Sequence, residues 1–229
     1  MRVVVLTGAG ISAESGLATF RDADGLWEGH DPMVVATPES FAAAPALVQR
    51  FYDERRAALG RVEPNRAHRA LARLEETLGD DLLLVTQNVD DLHERAGSRR
   101  VVHMHGRLRA AWCTACDARH DWTGTLLDLP PCPGCGASLL RPDVVWFGEI
   151  PHDMDRIEDA LLDCGLFVSI GTSGVVYPAA GFVQYALARG AETLELNLDP
   201  SDGSSYFHAS RRGPATELVP AWVEELVGE

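Results

Sequence analysis

Four cysteines of this 229-residue sequence form two C-x2-C pairs whose spacing suits a metal ion. Fifteen residues separate the pairs, which is typical of a structural zinc site where each pair directs two sulfurs at one centre. Four thiolates saturate zinc and leave no position for an activated water, so the metal would stabilise a module rather than catalyse. The alternative is a pair of disulfides. The predicted ligands of one zinc ion are Cys113, Cys116, Cys132 and Cys135.

The opening of the chain favours zinc over disulfides. The apolar run at residues 3–6 reaches Gly8 at once, and such a run is too short for the apolar region of a secretory signal with its cleavage site. Disulfides need an oxidising compartment, whereas cytoplasmic thiols stay reduced. We therefore expect a cytoplasmic protein.

A glycine-rich segment follows that apolar run directly. It has the pattern G-x-G-x-x-A, the fingerprint of a strand-to-helix turn that binds a dinucleotide. A sharp turn of this kind also needs glycines for steric reasons alone. The acidic residue that a dehydrogenase carries about 20 positions further on is missing, and a loop at residues 15–22 follows instead. A dinucleotide is therefore predicted without hydride transfer, and its contacts would be Gly8, Ala9, Gly10, Ser12 and Ala13.

Two further segments carry polar side chains that suit catalysis. Gln87, Asn88 and Asp90 follow an apolar run, and they could bind ribose hydroxyls or a carboxamide, or form an ordinary turn with an Asx cap. His103 and His105 alternate, so in a strand they would face the same side. A histidine is the natural general base near neutral pH, but the pattern alone does not choose between the two.

A tyrosine and an arginine lie three positions apart on a predicted helix. Tyr52 and Arg55 can share one face of that helix. A tyrosine hydroxyl beside an arginine fork is a good receptor for a carboxylate. Because the pair belongs to a charged run at residues 53–56, a solvated helix face is the simpler explanation before further information.

The overall charge limits the partners of the protein. The formal net charge is −14, which argues against general nucleic-acid binding, since that needs basic surface to neutralise phosphates. No apolar run approaches the ~20 residues that span a bilayer. The sequence thus predicts a globular protein without nucleic-acid or membrane partners.

The elements that must position these residues follow an α/β pattern. Four short apolar runs, at residues 3–6, 82–85, 166–170 and 193–196, each lead into small or amide-bearing residues. Such runs are typical of a parallel sheet covered on both faces, where ligands bind beyond the carboxyl ends of the strands. Helical patterns span residues 65–79 and 182–187 between the runs, and an amphipathic pattern at residues 218–226 closes the chain.

Two stretches interrupt this alternation and are interpreted as insertions. Residues 31–62 contain three prolines and then a helical run, and residues 107–142 carry the cysteine pairs. We expect a helical module and a zinc-binding module that together form a small domain beside a Rossmann-like parallel sheet. That larger domain would comprise residues 1–30, 63–106 and 143–229, within one catalytic unit that spans residues 1–229.

Together these motifs resemble the sirtuin family, the NAD-dependent protein lysine deacylases, over essentially the whole chain. Residues 8–16 and 19–21 are similar to the cofactor loop of that family, and residues 86–90 to its nicotinamide and ribose motif. The resemblance implies catalytic roles for His105, rather than His103, and for Asn88 and Asp90. It also implies NAD contacts from Thr19, Phe20, Arg21, Trp27, Gln87, Val89, Gly171, Thr172, Ser173, Asn197, Leu198, Asp199 and Ala215.

The subclass is also suggested by resemblance. Residues 51–56 have the pattern F-Y-x-x-R-R and resemble the sirtuin class that prefers succinyl and malonyl groups, in which the tyrosine and arginine hold the acyl carboxylate. This implies the same role for Tyr52 and Arg55. Residues 144–149 resemble the strand that pairs with the substrate peptide. The implied substrate contacts there are Val145, Trp146, Phe147, Gly148 and Glu149.

The resemblance implies a reaction that consumes NAD. Nicotinamide leaves, the acyl oxygen of the modified lysine attacks the ribose, and His105 acts as general base on a ribose hydroxyl. The products would be free lysine, nicotinamide and O-acyl-ADP-ribose. We expect a monomer that acts on acyl-lysine proteins as a desuccinylase or demalonylase and also as a deacetylase. Two alternatives are mono-ADP-ribosyl transfer on the same scaffold and a non-catalytic NAD sensor.

Overall fold

The computed structural model of the chain describes residues 1–18 and 29–228. Within this part, no helix is long and apolar enough to cross a membrane. The strands are β1 (Arg2–Thr7), β2 (Leu82–Thr86), β3 (Val101–His103), β4 (Gly106–Cys113), β5 (Arg119–Asp121), β6 (Leu140–Val144), β7 (Cys164–Ile170), β8 (Glu192–Asn197) and β9 (Ala209–Arg212). The α-helices are α1 (Gly10–Ala13), α2 (Pro32–Val35), α3 (Pro38–Ala43), α4 (Pro45–Ala58), α5 (Arg66–Leu78), α6 (Leu92–Ala96), α7 (Met154–Leu162), α8 (Phe182–Ala188) and α9 (Ala215–Val227).

Six parallel strands form the large sheet, in the order β3-β2-β1-β7-β8-β9. Strand β1 lies in the middle, where Val4 is paired with Leu83 on one side and Phe167 on the other. Its neighbours are continuous apolar runs, because both faces of a parallel sheet are covered. The predicted α/β fold with a Rossmann-like parallel sheet is confirmed.

Alternate residues of β1 enter two separate cores. Val3 and Val5 pack on the face covered by α5 and α9, whereas Val4 and Leu6 pack on the face covered by α7 and α8. The alternation follows from the strand geometry, in which successive side chains point to opposite faces. Helices therefore cover both faces of the sheet and exclude water from them. A polar ligand can reach the sheet only at the carboxyl ends of its strands.

Helix α5 has its predicted limits. The side chain of Asn65 accepts a hydrogen bond from the backbone N–H of Ala67 (2.9 Å), and Gly79 follows the last helical residue with φ +55°. Helix α9 begins at Ala215, earlier than the predicted residue 218, because its first turn lies outside the apolar pattern. These two helices pack on each other and on β1.

A second sheet of three antiparallel strands, in the order β5-β4-β6, holds the cysteine pairs. Residues 31–62 form α2, α3 and α4, and α4 packs against this sheet through a small core that includes Tyr52, Leu108 and Trp146. The division of the chain into domains at the expected boundaries stays a prediction.

Candidate active site and metal centre

A cleft of about 650 Å³ lies between the carboxyl edge of the large sheet and the elements α4 and β6. It is lined by every predicted catalytic, cofactor and substrate residue within the described ranges. Thr19, Phe20, Arg21 and Trp27 lie outside the described residues. The predicted residues on the wall are Gly8, Ala9, Gly10, Ser12, Ala13, Tyr52, Arg55, Gln87, Asn88, Val89, Asp90, His105, Val145, Trp146, Phe147, Gly148, Glu149, Gly171, Thr172, Ser173, Asn197, Leu198, Asp199 and Ala215.

Glycines let two loops of the cleft touch. Gly8 and Gly10 follow β1, and Gly171 follows β7 with φ +62°. A Cβ on Gly10 would lie 2.7 Å from the Cα of Gly171, and a Cβ on Gly171 would lie 2.5 Å from the backbone nitrogen of Ile11. The N–H of Gly10 donates to the carbonyl of Gly171 (2.9 Å). This close approach requires glycine whether or not a dinucleotide is bound.

Asn88, Asp90 and Ser12 form one buried hydrogen-bond network. The Nδ2 of Asn88 donates to the carbonyl of Gly8 (3.1 Å) and to the Oγ of Ser12 (3.2 Å), which donates to the Oδ2 of Asp90 (3.0 Å). The other oxygen of Asp90 accepts from the backbone N–H of Leu92 (3.1 Å), which forms an Asx turn, whereas the N-cap residue of α6, Asp91, makes no side-chain cap hydrogen bond. Burial raises the pKa of Asp90. Both side chains are therefore held in fixed orientations at the cleft wall.

The two alternating histidines have different surroundings, because β3 ends at His103 and His105 lies beyond it. The ring nitrogens of His103 face the carbonyl of Asn88 (3.1 Å) and the carboxylate of Glu94 (2.6 Å). The Nδ1 of His105 donates to the carbonyl of Gln87 (3.2 Å), and its ring lines the cleft. Burial lowers the pKa of His105, which favours a neutral ring whose Nε2 can take up a proton. The geometry thus favours His105 as the base.

The tyrosine and arginine of α4 lie at the opposite end of the cleft. Tyr52 is fully buried, and its hydroxyl oxygen accepts a hydrogen bond from the indole N–H of Trp146 (2.9 Å). An Nη of Arg55 donates to the carbonyl of Phe51 (2.6 Å). Arg56 is also buried. A solvated helix face therefore does not describe this run.

The strand expected over residues 144–149 is shorter than predicted, because β6 ends at Val144. The backbone N–H of Phe147 donates to the carbonyl of Ala36 (2.9 Å), and Gly148 turns the chain with φ +90°. We call this segment the 144–149 turn. It lines the cleft, but the protein itself uses part of the backbone that would pair with a peptide.

The loops after β7 and β8 form the other end of the cleft. The Nδ2 of Asn197 donates to the carbonyl of Thr172 (2.7 Å), and the N–H of Gly213 donates to the carbonyl of Asn197 (3.1 Å). Glu195 lies beneath them in β8 and is buried, and its Oε2 accepts from the hydroxyl of Ser204 (2.7 Å). These contacts bring together residues 171–173, 197–199 and 213–215, the three segments that carry the later predicted NAD contacts.

The four paired cysteines lie together beside the small sheet, at the end of β4 and in the connections between its strands, and none of them lines the cleft. Their sulfurs lie within 4.8 Å of one another, with 3.7 Å between Cys113 and Cys135 and 3.8 Å between Cys116 and Cys132. Four sulfurs in a tetrahedron around zinc, each ~2.3 Å from it, are about 3.8 Å apart, whereas a disulfide requires ~2.05 Å. His120 places its Nε2 3.3 Å from the sulfur of Cys132. The four ligands fit a structural zinc ion.

Sequence reasoning missed a pair of buried histidines below the cleft. The ring centroids of His68 and His93 are 4.9 Å apart, with His68 Nε2 3.4 Å from the Oγ of Ser12 and His93 Nε2 3.0 Å from the Oγ1 of Thr7. Burial lowers the pKa of His68 to about 4 and also lowers that of His93. One signal was available, since His68 stands three residues after Asn65, where its Nδ1 completes a capping box (3.3 Å).

Residues 8–178 of the chain match the model of the Sir2 family. A protein of Pasteurella multocida (strain Pm70) named NAD-dependent protein deacylase is 56% identical over 230 residues, which cover 99% of this chain and 98% of that protein. A protein of Caulobacter vibrioides with the same name is 58% identical over 231 residues, which cover 99% and 97%.

Solved structures of the same family are also similar to the chain. A Sir2 homolog in complex with NAD has a TM-score of 0.90 and 42% identity, covering 99% of this chain and 90% of its own. A Sir2 variant with a deacetylated p53 peptide and 3'-O-acetyl ADP ribose has a TM-score of 0.85 and 29% identity, covering 98% and 93%.

Proposed function

Because this chain belongs to the Sir2 family and is an NAD-dependent protein deacylase, we propose that it removes acyl groups that end in a carboxylate. Succinyl-lysine and malonyl-lysine in proteins would be its substrates, with acetyl-lysine as a further one. The observation that supports this choice is that Tyr52 and Arg55 line one end of the cleft together.

The chemistry of this end suits a carboxylate. Arginine keeps its charge at all relevant pH values, and its fork can donate two parallel hydrogen bonds to a carboxylate. Burial raises the pKa of Tyr52, so its hydroxyl stays protonated and able to donate. A succinyl group would gain from both contacts, whereas an acetyl group has no charge to pair.

The rest of the cleft would hold NAD. Its volume of about 650 Å³ lies within the ~300–1,000 Å³ of small-molecule sites. NAD supplies the ribose carbon that accepts the acyl oxygen. In our proposal the loops after β1, β7 and β8 bind its phosphates and adenosine, and Asn88 and Asp90 orient the nicotinamide end. Holding both reactants in one cleft is the main contribution of the protein, because it replaces a bimolecular encounter by a positioned one.

His105 would remove a proton from a ribose hydroxyl. Its Nδ1–H is engaged by the carbonyl of Gln87 (3.2 Å), which leaves Nε2 as the acceptor. The lowered pKa keeps the ring neutral near pH 7. A base in this state can act at once on the bound substrate.

The four cysteines would hold a zinc ion that takes no part in the reaction. Because the thiolates must be available for the metal, we also propose that the enzyme works in a reducing compartment, the cytoplasm. We propose separately that it acts as a monomer. Size-exclusion chromatography with light scattering would check the oligomeric state.

The acyl preference can be tested with two peptides that differ only in carrying succinyl-lysine or acetyl-lysine. Losing one partner of a desolvated charge pair costs ~2–5 kcal/mol, so Arg55→Met should lower kcat/KM for the succinyl peptide by roughly 30-fold or more. Deacetylation should stay level or rise. Arg50→Met, at an exposed position of the same helix, is the matched control and should leave the ratio of the two kcat/KM values unchanged.

An unchanged ratio in Arg55→Met would show that the pair does not select the acyl group. Mass spectrometry of the products separates the remaining alternative, because mono-ADP-ribosyl transfer would add ADP-ribose to a protein instead of releasing O-acyl-ADP-ribose. The alternative of a non-catalytic sensor does not agree with membership among the deacylases.

A further inference from the structure

Arg141 connects the small sheet, beside which the four cysteines lie, to the end of the cleft lined by Tyr52 and Arg55, which we call the acyl end. It is buried in β6, and its strand neighbour across the small sheet is Trp112. The guanidinium carbon lies 4.8 Å from the ring centroid of Trp112 and 3.4 Å from that of Trp146. One cationic plane therefore stands between a tryptophan of the small sheet and a tryptophan of the cleft wall.

The same guanidinium fixes the 144–149 turn. Its two terminal nitrogens donate to the two carboxylate oxygens of Glu149 (2.6 and 2.9 Å), and one of them also donates to the carbonyl of Val144 (2.8 Å). Glu149 in turn accepts the backbone N–H of Trp146 (2.8 Å). Both ends of the turn are thus tied to Arg141.

Trp146 links Arg141 to the acyl end, because its indole contacts Arg141 and donates a hydrogen bond to Tyr52. An indole N–H can only donate, so the hydroxyl oxygen of Tyr52 must accept at this contact of 2.9 Å. The indole therefore restricts the direction in which Tyr52 can point its own proton. We propose that Arg141 is a positioning residue for acyl selection, which acts on Tyr52 through Trp146. This inference rests on the proposed role of Tyr52 and Arg55.

Arginine suits this position for two reasons. Its planar fork matches a carboxylate at two points, and its flat face can stack on an aromatic ring, whereas a lysine ammonium is a point charge. Arg141→Lys should therefore keep the ion pair with Glu149 and lose the stacking. We expect the ratio of kcat/KM for succinyl over acetyl peptides in Arg141→Lys to lie between the ratios of the parent and of Arg141→Met.

The first test is Arg141→Met, which removes the fork and keeps a long apolar stem between the tryptophans. The ratio of kcat/KM for succinyl over acetyl peptides should fall by about tenfold, mainly through a higher KM for the succinyl peptide. Arg119→Met is the matched control, because Arg119 also stands over Trp112 and pairs with Asp143 in the small sheet. It should change both peptides by the same factor.

The second test is Trp146→Phe, which keeps an aromatic ring beside Arg141, removes the indole N–H and makes the side chain smaller. It should lower the succinyl-to-acetyl ratio in the parent but have no further effect in a Tyr52→Phe background, because both changes remove the same hydrogen bond. Additive effects in the double variant would overturn the proposal. This comparison tests whether Trp146 acts on acyl selection through Tyr52, and it can be made even if Arg141→Met does not fold.

The outcomes separate this inference from the proposed function. A parent enzyme with no preference for succinyl over acetyl peptides contradicts the proposed function, and the role of Arg141 falls with it. A parent that prefers succinyl, together with an unchanged ratio in folded Arg141→Met, overturns the positioning role alone.

A second inference comes from composition. All 20 lysine-or-arginine positions of the chain are arginines, although the reaction acts on modified lysine. A thioester acylates a lysine ε-amine by forming the amide C–N bond while the C–S bond breaks, the thiol leaves and the amine loses a proton. Guanidinium groups stay protonated and are poor nucleophiles. We infer that this chain offers no lysine to its own active site and that lysine-directed acyl donors do not inactivate it.

An acetylating reagent, the N-hydroxysuccinimide ester of acetic acid, tests this directly. After hydroxylamine has removed acyl groups from oxygen and sulfur, intact-mass measurement should show acetylation of the α-amine of Met1 at most, with deacylase activity unchanged. Arg107→Lys, at a half-exposed position, should gain one further acetyl group and show that the labelling works. Further stable adducts on the parent, or loss of its activity, would overturn the inference.

Discussion

The two ends of the cleft differ in the closest contacts that join the elements around them. The loops after β1, β7 and β8 line the end of the cleft where we propose that NAD binds, and we call it the NAD end. Two of these loops touch through their backbones, as where Gly10 donates to the carbonyl of Gly171 (2.9 Å). At the acyl end, side chains from α4 and the 144–149 turn meet, as where Trp146 donates to Tyr52 (2.9 Å). Backbone contacts leave little freedom to change, whereas side-chain contacts can be exchanged residue by residue. This difference agrees with our proposal that the first end binds the constant co-substrate and the second the selected acyl group.

The glycines of the two ends show the same contrast. Gly171 and Gly148 both have positive φ, at +62° and +90°. A Cβ on Gly171 would lie 2.5 Å from the backbone nitrogen of Ile11, but a Cβ on Gly148 would have no atom of the described residues within 4 Å. The NAD end therefore requires glycine for space as well as for conformation, and the acyl end for conformation alone.

The largest effect is expected from loss of the zinc ligands, because the acyl end rests on the small sheet. Cys132→Ser should unfold or aggregate the protein, since structural zinc contributes ~10–16 kcal/mol in small zinc domains, as much as the whole stability of a typical domain. Zinc analysis with thermal melting checks this. Cys164→Ser, outside the cluster, should keep its zinc. A soluble, active Cys132→Ser protein without zinc would contradict the prediction.

The next largest effect is expected at His105, which lies between the two ends. His105→Ala should reduce turnover of succinyl and acetyl peptides alike by ~10²–10⁴, the usual contribution of a general base. Binding of NAD, measured by calorimetry, should persist. His103→Ala is the matched control, because that ring is engaged by Asn88 and Glu94. Activity of His105→Ala within about threefold of the parent would show that His105 is not the base.

A smaller effect is expected from paired glycine substitutions. The left-handed conformation costs an L-residue ~1–2 kcal/mol, so Gly148→Ala should lose about that much free energy of unfolding. Gly171→Ala should lose more, and should raise KM for NAD, because the loops around it must also separate. Urea unfolding and steady-state kinetics measure both. Equal losses for the two variants would remove the contrast between the ends.

The sequence predicts the NAD end better than the acyl end, for a physical reason. Strand-to-loop turns are local, so apolar runs followed by glycine or amide residues indicate both the parallel sheet and the loops at its edge. At the acyl end, the contacts of Trp146 with Tyr52 and of Arg141 with Trp112 join residues far apart in the sequence, and no spacing indicates them. The strand expected over residues 144–149 is too long for a related reason, because Glu149 caps the Trp146 amide from within the turn.

The smallest predicted effect is a dependence of the free energy of unfolding on pH, caused by the buried histidines below the NAD end. Burial lowers the pKa of His68 to about 4, below its ordinary 6.5, and also lowers that of His93. The unfolded chain therefore takes up protons first, and the stability contributed by the neutral pair, present above pH ~6.5, falls as the pH drops toward ~4. At the acyl end, the pKa of Tyr52 is raised by burial and that of Glu149 is lowered by its contact with Arg141, so neither group changes charge between pH 7 and 5.5. For His68 alone, the loss is on the order of 1–3 kcal/mol.

Urea unfolding between pH 7 and pH 5.5, at constant zinc content, measures this loss. His68→Asn keeps an acceptor for the backbone N–H of Asn65 and removes the titrating ring, so its stability should decline less than that of the parent over the same interval. A parent whose stability is flat from pH 7 to 5.5, or a His68→Asn variant with the same slope, would show that the buried pair does not set the acid sensitivity. Succinyl-to-acetyl selectivity should stay constant over this interval. The pKa of Tyr52 is raised and that of Glu149 is lowered by its contact with Arg141, so neither group titrates between pH 7 and 5.5, and it is the unfolded chain that takes up the protons of the two histidines.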